Sequence, residues 1–251
     1  MKILLISDIH GNADALKAVL ENARGWDAVW VLGDLVDYGP EPHIVVDIVR
    51  DLAPEVIVTG NHDYAAAYGV DCRCAPEIHE LSEYTRKHIT FKLLSREQIS
   101  WLRSLPKVYS GQVSNLKVYM AHGSPRNPLY GYLRPNLPAD ELRLALTPSM
   151  AALKPRPVKA DLVVVGHTHI PVDMTIDWVR IVNPGSVGQP RDGDPRASYA
   201  ILDVEKGSLE IRRVKYDINS VLAKLRQLGI EEHYFNWLKR ILLEGKAYKE
   251  T

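Results

Sequence analysis

The chain has 251 residues, 46% of them hydrophobic and 25% charged, with 31 Lys plus Arg against 31 Asp plus Glu. That composition excludes a disordered or collagen-like chain. A net charge of zero lacks the basic excess of a nucleic-acid binder, and no apolar run approaches the ~20 residues of a membrane span.

The opening run Lys2–Ser7 is too short for a leader peptide and is followed at once by Asp8 and His10, so it reads as a buried strand. Ala13–Asn22 carries Leu16, Val19 and Leu20 at helical spacing, and Ala28–Leu32 is a second apolar strand. Glu41–Leu52, with Ile44, Val45, Ile48 and Val49, reads as a helix, and Glu55–Thr59 as a third strand. None of these strands alternates cleanly with polar residues, as expected where both faces are buried. The β-α-β-α-β order predicts a largely parallel sheet with right-handed crossovers. Residues 65–105 are mostly helical in pattern, with Pro76 as an expected helix start. Cys72 and Cys74 stand one residue apart, a spacing that rarely closes an unstrained disulfide. They read as reduced thiols, and a cytoplasmic location is expected.

Val118–Ala121 and Leu162–Val165 are further strands, flanking a helical segment at Ala139–Leu146. Val172–Ile176 with Val179–Val182, and Tyr199–Val204 with Leu209–Tyr216, read as hairpins turning at Asp177-Trp178 and Lys206-Gly207. Two helical patterns close the chain. Val221, Leu222, Leu225 and Leu228 stop at Gly229, and Ile230, Tyr234, Trp237, Leu238 and Ile241 form a core-facing stripe. The expected organisation is one domain over 1–251, with a helical insertion at about 65–105 and a C-terminal helical extension at about 217–247.

Metal-ligand residue types recur just past the strands. Asp8 and His10 follow the first, Asp34 the second, Asn61 and His62 the third, His122 the next, and His167 and His169 the one after. In open α/β sheets, ligands bind beyond the carboxyl ends of the strands, so groups far apart in sequence can converge. A lone Asp in such a place is usually a turn residue or cap, and a lone His is usually packed or exposed, as His43, His79, His88 and His233 are expected to be. Five strand ends so equipped are not explained that way. Imidazole and carboxylate donors without thiolate suit Mn²⁺, Fe, Zn²⁺ or Ni²⁺. A shared carboxylate can hold two ions about 3.5–4 Å apart, the spacing that activates a bridging hydroxide for in-line displacement.

Ser7-Asp8-Ile9-His10-Gly11-Asn12, Gly33-Asp34-Leu35-Val36-Asp37, Gly60-Asn61-His62-Asp63, His122-Gly123 and Gly166-His167-Thr168-His169 together resemble the calcineurin-like metallophosphoesterase superfamily. The resemblance implies an α/β four-layer sandwich, two mixed β-sheets face to face with helices outside. It implies a first metal on Asp8, His10, Asp34 and His169, with Asp34 bridging to a second completed by Asn61, His122 and His167. His62 would be the catalytic histidine near the leaving group, and Asp37 matches the residue that orients it in the protein-phosphatase branch. Manganese is the metal expected first.

That branch and the dinucleoside-polyphosphatase branch carry an arginine after the aspartate, whereas this chain reads Asp37-Tyr38-Gly39-Pro40. A phosphate-gripping arginine must come from elsewhere or be absent, with Arg126 the nearest candidate and Arg191 and Arg196 next. Asn12 is either a helix cap or a substrate contact. The expected activity is hydrolysis of a phosphate ester, a small molecule or nucleotide. Dinucleoside polyphosphate hydrolysis and serine/threonine protein phosphatase activity are the enzymatic alternatives. A non-catalytic scaffold on the same fold, as in the retromer subunit, would be expected to have lost His62 or some of the ligands, and this chain carries all of them.

Overall fold

A computed structural model describes residues 1–247; residues 248–251 of the expected domain lie outside the described residues. Strands β1 (Lys2–Ile6), β2 (Ala28–Val31) and β3 (Val56–Ile57) run parallel, with helices α1 (Ala13–Asn22) and α2 (Pro42–Asp51) as crossovers. Strands β9 (Ala197–Asp203) and β10 (Ser208–Val214) add to the β1 edge antiparallel, giving the order β10-β9-β1-β2-β3. The sheet is therefore mixed rather than largely parallel, because a hairpin from the end of the chain completes it.

The second sheet has the order β4-β5-β6-β8-β7, from Val108–Val113, Leu116–Ala121, Leu162–Val164, Val179–Asn183 and Val172–Ile176 in that order. Here β5, β6 and β8 are parallel, and β4 and β7 pair antiparallel at the edges.

The side-chain period of two sorts the core. Ile3, Leu5 and Trp30 of the first sheet meet Met120, Leu162 and Val164 of the second in the layer between the sheets. Leu4, Ile6, Val29 and Val31 face the other way, onto Leu16 and Val19 of α1 and Val45 and Val49 of α2. On the far side, Val163 and Ile181 pack under Leu142 and Leu146 at helix α7 (Ala139–Ala145). Burial on both faces of both sheets gives the four layers and explains the unbroken apolar runs.

Between β3 and β4 lie α3 (Asn61–Tyr68), α4 (His79–Thr85), a π-helical turn at Arg86–Thr90, the single turn α5 (Phe91–Leu93) and α6 (Arg96–Ser104). Pro76 sits in a turn before α4 and does not start the helix. The terminal helices α8 (Ile218–Gln227) and α9 (Glu232–Glu244) cover this segment: Phe235, Trp237, Leu238 and Ile241 pack with Ile78, Leu81, Ile89 and the buried Tyr38.

Candidate metal centre and active site

The loops leaving the parallel strands are zipped together by backbone hydrogen bonds. Asp8 N–H donates to Gly33 O (3.0 Å), His10 N–H to Asp34 O (2.9 Å) and Gly166 N–H to His122 O (2.8 Å). The turns are tight enough that Asp8, His10, Asp34, His167 and His169 all adopt left-handed backbone, with φ of 53°, 48°, 56°, 65° and 58°. Asp and His tolerate that region better than most residues, yet each such position still costs on the order of 1 kcal/mol or more. Gly33 (φ 87°) and Gly60 let two of these loops touch: a Cβ on Gly60 would collide with the Asp34 carboxylate.

The strand ends bring the side chains into two buried groups. Asp8, His10, Asp34 and His169 form one, and Asp34, His122 and His167 the other, with the donor atoms of each group within 4.8 Å of one another. Asp34 is common to both. Asn61 joins the second group, its Oδ1 3.1 Å from His122 Nε2 while its amide nitrogen donates to Cys72 O.

Three imidazoles have a fixed tautomer. The Nδ1–H groups of His10, His122 and His169 donate to the carbonyls of Val36 (2.9 Å), Leu32 (2.7 Å) and Gln189 (2.6 Å). Their Nε2 lone pairs therefore point inward. Nε2 of His10 and His169 face each other at 3.2 Å, and His122 Nε2 faces Asp34 Oδ2 at 3.1 Å. The His10 and His169 lone pairs, so opposed, repel unless a cation lies between them; at His122 burial opposes protonation, but the Asp34 charge outweighs it and pushes the ring up to about 9, so a proton fills that gap when no metal does. Asp8 Oδ2, Asp34 Oδ2 and His167 Nε2 are buried without any hydrogen-bond partner. Burial holds His10 down at about 3 and His169 and His167 well below the usual histidine range, which keeps them neutral. Burial, with the Asp34 charge adding to it, pushes Asp8 up to about 6. The residues present fit divalent cations.

His62 stands at the edge of these groups. Its Nδ1 is 2.8 Å from Asp37 Oδ2 and its Nε2 4.0 Å from Asp34 Oδ2. Burial opposes its protonation, but the charges of Asp34 and Asp37 outweigh it and raise the pKa. Asp37 is held in turn by Arg86, whose Nε and Nη2 lie 2.9 and 2.6 Å from Oδ2, and by Thr90 Oγ1 on Oδ1 (2.9 Å). Arg86 and Thr90 were not singled out in the sequence; both come from the π-helical turn between α4 and α5, and no local spacing ties them to Asp37. Asp63 was also passed over. Its carboxylate accepts the N–H groups of Asp34, Leu35 and Gly60 and fixes the Asp34 loop; its place beside Asn61-His62 was the available signal.

The expected substrate-binding residues separate. Arg191 lines a cavity of about 490 Å³ with Tyr132, Arg134 and Thr168, and Tyr132 packs against His167 at 4.3 Å between ring centroids. Its guanidinium is held by Gln189 Oε1, and its charge acts on Asp8, His10 and His169. Arg126, expected to overhang the metals, instead donates to the carbonyls of Met150 and Ala152 and ties down that loop. Arg196 pairs with Asp194 at the surface. Asn12 spends both ends of its amide on structure, capping α1 through Ala15 N and donating to Gly188 O.

Among the described residues no helix is long and apolar enough to cross a membrane. The sequence profile of the calcineurin-like phosphoesterase superfamily domain matches residues 1–207. The crystal structure of a metallophosphoesterase from Sphaerobacter thermophilus is 35% identical and superposes with a TM-score of 0.77, covering 98% of this chain and 99% of that one. An uncharacterised protein of Methanocaldococcus jannaschii is 33% identical over 97% of this chain and 98% of its own length. Phosphodiesterase YfcE of Escherichia coli is 28% identical, over 81% of this chain and 88% of its own. The chain belongs to the calcineurin-like phosphoesterase superfamily.

Proposed function

We propose that this protein is a metal-dependent phosphoesterase using two divalent cations, manganese first among them, to hydrolyse a small-molecule or nucleotide phosphate ester. One observation carries the reading: donor atoms converge with no partner but each other, the His10 and His169 lone pairs at 3.2 Å and the orphaned oxygens of Asp8 and Asp34. Asp8, His10, Asp34 and His169 would hold one cation, and Asp34, Asn61, His122 and His167 the other. Bound there, the cations would supply Lewis-acid polarisation of the phosphoryl group and an activated water as nucleophile.

The chain's own residues do the rest. The backbone carbonyls of Val36, Leu32 and Gln189 keep the imidazole lone pairs aimed inward. His62, protonated under the influence of Asp34 and Asp37, delivers its proton from Nε2 to the departing oxygen. Asp37 fixes that ring through Nδ1, and Arg86 and Thr90 fix Asp37. Arg191, beside the cluster, offers its guanidinium to a phosphoryl oxygen or to a second anionic group of the substrate. The relative named a phosphodiesterase puts diesters first among the substrates to try.

The test is a manganese-supplemented panel of aryl monoesters, aryl diesters, cyclic nucleotides, dinucleoside polyphosphates and a phosphopeptide. Turnover of at least one ester, lost on chelation, is expected. Failure across the panel with the metal bound would return the chain to the scaffold reading.

A further inference from the structure

Cys72 and Cys74 take no part in the chemistry above, yet their loop, between α3 and α4, lies against it. Cys72 is fully buried and Cys74 partly so; both are free, with the sulfurs 3.1 Å apart. Cys72 Sγ is 3.3 Å from Ser82 Oγ, which is 3.3 Å from His62 Nδ1. A ring nitrogen of His62 and the two sulfurs all lie within 4.8 Å of one another. A second trio, Asp71, Cys72 and His79, meets the same limit and shares Cys72. Asp71 is exposed and His79 and Cys74 are partly so, so the loop reaches solvent although Cys72 itself is buried.

We propose that Cys72 and Cys74, completed by His62, form an inhibitory site for a thiophilic divalent cation of the zinc and cadmium class, distinct from the Asp/His groups. Two thiolates and an imidazole are a soft donor set, whereas Asp8, Asp34 and Asn61 offer hard oxygen. The spacing favours a shared ion over a disulfide, because a one-residue separation strains the ring a disulfide would close. Zinc–sulfur distances of about 2.3 Å in a tetrahedral site require only a modest spreading of the two sulfurs. As the cation binds, the protons on the sulfurs and the one His62 carries on the nitrogen that binds pass to solvent.

The consequence for activity follows from the two nitrogens of one ring. Nδ1 of His62 is bound to Asp37, and Nε2 faces the Asp34 carboxylate. A cation taking Nδ1 displaces Asp37, and one taking Nε2 withdraws the proton donor. Either way His62 loses its positioning partner or its proton, and its service to the leaving group falls. The Cys72 carbonyl also accepts from the Asn61 amide, so a pull on this loop reaches a second residue of the centre.

The test titrates the manganese-loaded protein with cadmium, because the thiolate-to-cadmium charge-transfer band in the ultraviolet reports sulfur ligation and the Asp/His groups contain no sulfur. The expected result is a band of two-thiolate intensity saturating at one added equivalent, with protons released and turnover falling in parallel. Cys74→Ser should lose the band, keep basal turnover and become resistant to cadmium. Cys74→Ala provides the same test should the serine variant fold poorly. No band, a band that survives in both Cys74 variants, or a full band with undiminished turnover would each overturn the proposal. The band and proton release do not depend on which ester is hydrolysed, so they stand or fall separately from the phosphoesterase reading.

Discussion

Arg86 and Asp37 form a buried ion pair, Nη2 to Oδ2 at 2.6 Å, on the same carboxylate oxygen that lies 2.8 Å from His62 Nδ1. The helical segment between β3 and β4 thus completes a chain of contacts that ends at the Asp/His groups. Removing one member of a buried pair leaves the other charged and uncompensated, at a cost of about 3–5 kcal/mol. Arg86→Ala should lower unfolding stability by that order in denaturant titrations. A loss under about 1 kcal/mol would mean that solvent reaches Asp37 readily, as at an exposed pair.

The same pair sets an acid limit. Burial pushes the Asp37 carboxyl up, but the Arg86 charge and the His62 contact more than offset it and hold the group below the usual range. A carboxylate depressed in the folded state contributes stability that is fully present above its unfolded pKa of about 3.9 and is lost as pH falls through the lower folded value. Stability of the native chain should therefore fall more steeply below pH ~4 than that of Asp37→Asn. Parallel profiles for the two proteins would contradict the assignment.

Arg191 and Arg126 give opposite expectations. Loss of one charge-assisted contact costs about 1.5–3 kcal/mol, so Arg191→Ala should lower kcat/KM roughly 10- to 100-fold with metal content unchanged. Arg126 is committed to the carbonyls of Met150 and Ala152, so Arg126→Ala should leave kinetics nearly intact and loosen that loop toward proteolysis. Steady-state kinetics with elemental analysis of both variants decide the matter, and the reverse pattern would restore Arg126 to the substrate.

The proton-donor role of His62 is read from leaving groups. General acid catalysis contributes about 10²–10⁴-fold where the departing oxygen needs a proton. His62→Ala should lose that much on an alkyl ester and much less on a nitrophenyl ester, with Asp37→Asn and Arg86→Ala showing the same bias more weakly. A purely structural role for Arg86 would lower both activities equally. Equal losses in His62→Ala would leave its ring only a charge-stabilising part.

Much of this was legible in the sequence, for a physical reason. Strands buried on both faces announce themselves as apolar runs, and Asp8, His10, Asp34, Asn61, His122, His167 and His169 stand just past their ends. The α1 boundaries, Ala13–Asn22, match the helical pattern, capped by Asn12. What was missed has weaker local signals. Strand β4, Val108–Val113, is an edge strand that turns Val108, Ser110 and Gln112 to solvent, and Ser110-Gly111-Gln112 breaks any apolar run that would mark it. Pro76 preceded the true start of α4 at His79, because a turn comes first. Arg86 lies 49 residues from Asp37, and only the packing of the helical segment brings them together. Arg126, four residues past His122, looked well placed until its loop was seen to spend the guanidinium on its own neighbours.

The central claim is that one carboxylate, Asp34, serves two cations in a hydrolytic site. The most direct measurement strips the protein of metal and titrates manganese back while following both bound metal and turnover of an aryl phosphodiester, in the native chain and in Asp34→Asn. Turnover absent from the stripped protein, rising to saturation at two equivalents, with both ions weakened in Asp34→Asn, is the predicted result. Full turnover without metal, or two ions held at native affinity by Asp34→Asn, would contradict it.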